Sequence, residues 1–422
     1  MKSIRYLFIL LFCFIYLQGL AQDYWEQMNP PGGLSMFDIA VDSEGRIYLA
    51  CPWPSGALTG IYRSDDNFES WARKIDGMTA TAPHPRSIAI DDFDNIIVGG
   101  NSRIYRSGNH GEEWMEVFNA LPNGIGFNTN EFGFDSIFLL GGQYGYGIVR
   151  SGDHGISWQV VLDLTIIPPD FPETINGVAY ADDGKIYACS QTYIGGSGSV
   201  YVSEDYGMSW SVFYNNGSSQ FTSIEYDPSG RLLVGANGVH YYDFDTGTWE
   251  YHNYNFLAQD ILVVPENKIF IADPYNGGGF GVVFSGDNGQ TYEILNSGMI
   301  YPDATDFTFD LSGRILVCGD SWNSLWRSYD TLITAISPDK IKADGIEFSA
   351  YPNPFTTQCI IQSSIPEFAT LTLFNSYGET VLKAFIDSYR TFKINGNTLP
   401  QGMYLAVIES HNYKHTIKLF HH

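Results

Sequence analysis

Ser151-Gly-Asp153-His-Gly155-Ile-Ser-Trp158 is one copy of a pattern, S-x-D-x-G-x-x-W, that recurs along the chain. Ser107-Gly-Asn109-His-Gly111-Glu-Glu-Trp114 carries Asn in the Asp place, and Ser203-Glu-Asp205-Tyr-Gly207-Met-Ser-Trp210 fits throughout. Ser285-Gly-Asp287-Asn-Gly289-Gln-Thr-Tyr292 ends in Tyr, and Ser64-Asp-Asp66-Asn-Phe68-Glu-Ser-Trp71 has Phe where the others have Gly. Ser328-Tyr-Asp330 is a decayed copy, and Asp243-Phe-Asp245-Thr-Gly247-Thr-Trp249 is a degenerate one. The motif serines are 43, 44, 52, 82 and 43 residues apart, the longest gap spanning the degenerate copy, so seven units are present. A period of this size means stacked supersecondary units, each too small to bury its own apolar face alone.

Each unit has the same anatomy. A hairpin precedes the motif, clearest at 37–51, 177–189, 223–236 and 306–319, with turns such as Ser43-Glu-Gly45-Arg46 between alternating strands. A third strand reads Ile-Tyr-Arg-Ser at 61–64 and 104–107, and the motif Trp opens a fourth. Four antiparallel strands per unit of about 43 residues is the signature of a β-propeller blade. The sequence therefore predicts an all-β chain with a seven-bladed β-propeller over residues 22–336. Tyr24-Trp25-Glu26-Gln27-Met28 resembles the strand after a motif Trp but has no hairpin ahead of it. It is expected to supply the outer strand of the last blade and so close the ring.

The repeat resembles the Asp-box (BNR-repeat) propellers, a group that includes sialidases, sortilin-type receptors and photosystem II assembly-factor-like propellers. The resemblance covers 23–336 and implies a structural role for Ser64, Asp66, Trp71, Ser107, Asn109, Gly111, Trp114, Ser151, Asp153, Gly155, Trp158, Ser203, Asp205, Gly207, Trp210, Ser285, Asp287, Gly289 and Tyr292. Ser and Asp side chains hold the turn backbone, Gly takes positive φ, and the ring packs under the hairpin.

Beyond the repeat, a linker at 337–347 leads to Tyr351-Pro-Asn-Pro354, strand-like runs at 358–363, 369–375 and 380–386, Leu399-Pro-Gln-Gly-Met-Tyr404, and a basic final strand at 414–420. Residues 348–422 resemble the C-terminal sorting domain of the type IX secretion system of Bacteroidetes, a small β-sandwich. That implies the secretion machinery as a partner and passage across the outer membrane. At the other end, Lys2 and Arg5 precede an apolar run from Tyr6 to Leu17, with Gly19-Leu-Ala21 before Gln22. This is the layout of a signal peptide over 1–21, since the run is shorter than a bilayer span.

Charge follows the same division. The formal net charge is −25, from 47 acidic and 22 basic residues, and residues 23–336 alone hold 40 acidic against 13 basic. Nucleic acid needs a basic footprint, so it is excluded as a partner, and no transmembrane segment is expected in the mature chain. Cys51, Cys189 and Cys318 occupy equivalent strand ends in three units, too far apart to bond, and are expected as buried free thiols. No Cys/His spacing suggests a metal, and no cofactor is implied. Asp91-Asp-Phe-Asp94-Asn95 is better explained as a hairpin turn than as a calcium loop.

Function is expected on the face formed by the loops between second and third strands. Five of these place an aromatic ring among Gly, Pro and Asn: Trp53, Tyr144 with Tyr146, Tyr193, Tyr275 and Trp322. Such rings stack on sugar faces, with carboxylates such as Asp273 and Asp320 to bond hydroxyls. The expectation is a non-catalytic propeller that binds a glycan or a surface protein, secreted or attached to the cell surface. The alternative is a glycoside hydrolase using a carboxylate pair on that face, from Asp170, Glu173, Asp273 and Asp320. Sialidase chemistry is disfavoured: outside the motif strands and hairpin turns only Arg73, Arg86 and Arg103 remain, all in the first two blades.

Overall fold

The computed structural model describes residues 23–332 and 348–421 apart from 54–57, 79–83, 92, 101–102, 120–126, 133–136, 143–146, 165–172, 182–184, 193–196, 216, 218–219, 228–229, 265–266, 275–278, 352–357, 364–368, 375–379, 387–390, 397–398, 401 and 410–413. The signal peptide at 1–21 and the linker at 337–347 lie outside the described residues.

Among the described residues there are 34 strands and no α-helix. Seven antiparallel sheets make up the large part of the chain. Blade 1 is β2 (Asp38–Val41), β3 (Ile47–Cys51), β4 (Gly60–Ser64) and β5 (Ala72–Lys74). Blade 2 is β6 (Pro85–Ile90) to β9 (Met115–Phe118), blade 3 is β10 (Phe127–Phe132) to β13 (Gln159–Leu162), and blade 4 is β14 (Glu173–Tyr180) to β17 (Ser211–Asn215). Blade 5 is β18 (Ser223–Asp227), β19 (Arg231–Asp243) and β20 (Thr248–Leu257), the first part of β19 pairing with β18 and the rest with β20. Blade 6 runs from β21 (Asp260–Val264) through β22 (Lys268–Asp273) and β23 (Gly281–Ser285) to β24 (Glu293–Ile294).

Blade 7 is composite. β25 (Asp306–Phe309), β26 (Ile315–Cys318) and β27 (Leu325–Ser328) come from one end of the repeat, while β1 (Trp25–Gln27) pairs with β27 in the register Trp25↔Ser328 and Gln27↔Trp326. Trp25 is 1% exposed and its Nε1 donates to Leu295 O at 2.6 Å. Glu26 accepts from Arg327 Nε at 2.6 Å. The first strands β2, β6, β10, β14, β18, β21 and β25 each touch the next, and β25 touches β2, so the ring is closed. The fold is an all-β propeller.

Blades pack through apolar clusters shared by neighbours, for example Tyr48, Ala50 and Ile61 of blade 1 with Ile88, Val98 and Tyr105 of blade 2. Burial of such side chains supplies roughly 1.5–3 kcal/mol each. Cys51, Cys189 and Cys318 are buried free thiols in these strands.

The five well-kept turns share one geometry. In blade 3, Ser151 Oγ accepts from Gly155 N at 2.9 Å and donates to Asp153 Oδ1 at 2.8 Å, and Oδ1 accepts from Ser157 N at 2.8 Å. His154 and Gly155 both have positive φ, 58° and 77°. A Cβ on Gly155 would lie 2.1 Å from Ile97 Cδ1 of blade 2, so a larger residue there must displace Ile97 at an unfavourable φ, although Phe68 takes the same place in blade 1 at φ 71°. The third-strand arginines reach across to the next turn: Arg63 Nη1 donates to His110 O at 2.5 Å, Arg106 Nε to His154 O at 2.7 Å, and Arg150 Nε to Tyr206 O at 2.8 Å. These arginines are inter-blade ties.

The C-terminal part is a two-sheet sandwich. β28 (Phe348–Tyr351), β29 (Gln358–Ser363) and β32 (Thr391–Asn395) form one sheet; β30 (Ala369–Phe374), β31 (Thr380–Ile386), β33 (Gly402–Glu409) and β34 (Lys414–His421) form the other. Cys359, Ile361 and Ile394 of the first sheet share a core with Leu371, Leu373, Ala406, Ile408 and Leu419 of the second.

Candidate functional site

Two exposed tryptophans stand on neighbouring blades, each in the loop between the second and third strands. Trp53 follows β3 of blade 1 and is 42% exposed; Trp322 follows β26 of blade 7 and is 67% exposed. Both sit on braced backbone. Ser35 N donates to Trp53 O at 3.1 Å, and the indole lies 5.3 Å from the His84 ring, whose Nδ1 pairs with Pro52 O at 2.8 Å. In the Trp322 loop, Ser324 N donates to Ser321 O, Ser321 N donates to the buried Asp303 carboxylate, and Asn323 O accepts from Gln27 Nε2. An exposed indole on a fixed loop gives up little side-chain entropy on binding, which suits a stacking platform.

The other loop-face residues are placed differently. Tyr144, Tyr146, Tyr193, Tyr275 and Asp170 lie outside the described residues. Asp273 is a correction to the sequence reading. It is 2% exposed, with Oδ2 accepting from Phe280 N at 2.9 Å and Oδ1 from Leu257 N at 3.2 Å. Its carboxylate folds the following loop back onto the end of β22 and does not face solvent; burial raises its pKa against those two hydrogen bonds. Glu173 is likewise 8% exposed and bonded to Ser190 Oγ at 2.6 Å and Tyr201 Oη at 2.7 Å. Asp320 stands two residues before Trp322 on the same loop. The three arginines left outside the repeat do not converge: Arg73 Nε donates to Thr59 O at 2.9 Å, Arg103 pairs with Glu116, and Arg86 lies over the Phe37 ring at 5.6 Å.

A cavity of about 380 Å³ runs between the first strands of the blades. Its lining includes Asp38, Glu225, Asp260 and Asp306 on four consecutive blades, 5, 6, 7 and 1, with Arg86 and Asn176 from blades 2 and 4. Blades 2, 3 and 4 carry a β-bulge at the start of the first strand, at Arg86, Asn128 and Asn176. Bulges re-aim side chains, and Arg86 and Asn176 both line the cavity. The carboxyls are held close to their protons. Burial, countered by the amides of Ile88 and Ile39, lifts Asp38 to about 7; burial lifts Asp260 to about 6 and Glu225 to about 8. Burial and the two neighbouring aspartates push Asp306 well above the carboxylate range. Sequence reading missed this group. The available signal was register: Asp38, Asp260 and Asp306 each stand 12 residues before their cross-strand partners Ala50, Ala272 and Cys318.

The fold and these sites define an exported β-propeller. Residues 349–421 match the family described as the secretion system C-terminal sorting domain, so the chain is addressed to the cell surface or beyond it. Among the described residues no helix is long and apolar enough to cross a membrane. Over 312 residues the chain is 24% identical to a xyloglucanase of Paenibacillus sp., covering 64% of this chain and 29% of that protein. The chain thus spans less than a third of the curated relative's length. Among solved structures, YCF48 bound to D1 peptide superposes with a TM-score of 0.56 at 16% identity, covering 75% of this chain and 98% of that one. The GH74 enzyme of Niastella koreensis gives 0.55 at 15% identity, covering 91% of this chain and 65% of that one. At these identities the structural likeness establishes the fold.

Proposed function

We propose that the protein is a secreted or surface-attached seven-bladed propeller of the Asp-box type that engages a β-glucan such as xyloglucan on the face bearing Trp53 and Trp322. The carrying observation is the pair of exposed, braced indoles on adjacent blades. The xyloglucanase similarity supports the choice of polysaccharide. It also favours a second reading over simple binding, in which the same face hydrolyses the chain; Asp320, beside Trp322, is then the described carboxylate nearest the platform in sequence. Against that reading, Glu173 and Asp273 are engaged inside the blades.

Affinity electrophoresis in gels containing xyloglucan, run beside a reducing-sugar assay, separates the two. Retardation of the intact protein that falls about tenfold in Trp53→Ala and in Trp322→Ala, equivalent to about 1.4 kcal/mol per ring, is the expected result. Reducing sugar that accumulates with the intact protein and disappears in Asp320→Asn establishes hydrolysis. Mobility unchanged by xyloglucan together with no release of reducing sugar removes both readings.

A further inference from the structure

Three of the channel carboxyls do the same job in succession. Asp260 of blade 6 accepts from Phe307 N of blade 7 at 3.2 Å, Asp306 of blade 7 from Ile39 N of blade 1 at 3.0 Å, and Asp38 of blade 1 from Ile88 N of blade 2 at 2.8 Å. In each case Oδ2 makes the bond and the acceptor opens its strand. Other blades use other means at this position. Ser223 donates its hydroxyl to Ala258 O at 2.6 Å, and Gly177 lets the backbone of Ile224 approach so closely that a Cβ would stand 3.0 Å from its nitrogen. The aspartate form is concentrated where the ring closes, since β1 completes blade 7 and blade 7 abuts blade 1.

The aspartates also share one cavity. Asp38, Asp306 and Asp260 line it on three consecutive blades, close enough for the charges of Asp38 and Asp260 to raise Asp306. An ionised carboxylate can only accept and repels its like, so carboxyls crowded in this way hold protons between them. We propose that Asp38, Asp306 and Asp260 form a proton-holding clasp across blades 6, 7, 1 and 2, and that the ring loosens at this seam when the clasp loses its protons. The proposal goes beyond the polysaccharide reading and does not depend on it.

The surroundings offer little to stabilise three bare carboxylates. Against Asp38 on β2, strand β25 brings Asp306 and β21 brings Asp260; Glu225 on β18 lines the same cavity and adds to the negative charge at Asp260, with Asp227 adding more. Strands β3 and β26 bring the Cys51 and Cys318 thiols, both held neutral by burial. Strand β6 brings Arg86, the one cation among the described residues lining the cavity. Like charges at such range cannot all ionise cheaply in a partly desolvated site.

The sign follows from linkage. The folded-state affinity of these groups for protons is raised, so their contribution to stability is fully present below about pH 4 and is lost as pH rises through about 6 to 8. Thermal unfolding of the full secreted chain is therefore expected to give a higher Tm at pH 5 than at pH 8. Asp306→Asn, which keeps an acceptor and a donor but cannot ionise, raises Tm at pH 8 and narrows that difference. Hydrogen exchange, corrected for intrinsic rates, shows the Ile39, Ile88 and Phe307 amides losing protection at pH 8 ahead of amides in blades 3 and 4. Should Asp306→Asn fail to fold, a carboxyl ¹³C titration of the unmodified chain decides, with at least one channel aspartate protonated at pH 6. A Tm equal or higher at pH 8, a pH difference unchanged by Asp306→Asn, or channel aspartates that all titrate below pH 5 overturns the clasp.

Discussion

Asp287 and Asp306 lie 19 positions apart and face opposite fates. Asp287, in the blade 6 turn, accepts from Thr291 Oγ1 at 2.5 Å, from Thr291 N at 2.8 Å and from Ser285 Oγ at 2.9 Å, and these donors pull its pKa down to about 2. Asp306, on the channel wall, also accepts a backbone N–H, yet desolvation and two neighbouring aspartates drive it the other way. Hydrogen-bond donors favour the charged form where water still reaches; removal of water and like charge win where it does not. One residue type thus serves two ends of the blade in two protonation states. The turn group loses its contribution as pH falls from about 4 towards 2, and the channel group loses its own as pH rises above about 4. Together these two kinds of group favour the acid side of neutrality.

The contrast can be broken most severely at the channel. Asp38→Ala combined with Asp306→Ala leaves the Ile88 and Ile39 amides without their acceptors, and urea unfolding at pH 5 is expected to show a loss of about 2–5 kcal/mol. At pH 8 the same pair costs less, because the repulsion it removes is absent at pH 5. In the turns, Gly155→Ala forces a Cβ into Ile97 at a positive φ and is expected to cost about 1–3 kcal/mol, with no change in pH dependence above pH 5. The smallest effect belongs to Asp153→Asn, which keeps an acceptor for Ser157 N: about 1 kcal/mol or less at pH 7, visible chiefly as a flatter stability profile below pH 4.

How far the sequence reveals each region depends on how local its interactions are. The turn was legible because its bonds close within six residues, Ser151 to Ser157, so the pattern is contiguous and repeats in print. The outer strand at Trp25 was legible because it lacked a hairpin of its own. The channel group was not, because Asp38, Asp260 and Asp306 acquire their character from burial and from one another, and Asp38 lies more than 200 residues from the other two. Asp273 misled for a related reason. It reads as the first residue of an exposed loop, and only the return of Phe280 N onto its carboxylate shows that it is the buried last residue of a strand. In the sandwich, Thr391–Asn395 was missed as a strand; its partner across the sheet, Gln358–Ser363, is separated from it by the whole β30–β31 hairpin.

The pairing of β1 with β27 sets an order of assembly. Trp25 finds Leu295 and Ser328 only after almost the whole propeller has been laid down, a separation of 270 residues for the indole bond alone. Contacts of that span form late, since loop closure must precede any reward from them. A chain that lacks β27 therefore leaves β1 without its partner strand, and the ring is not complete until blade 7 is in place.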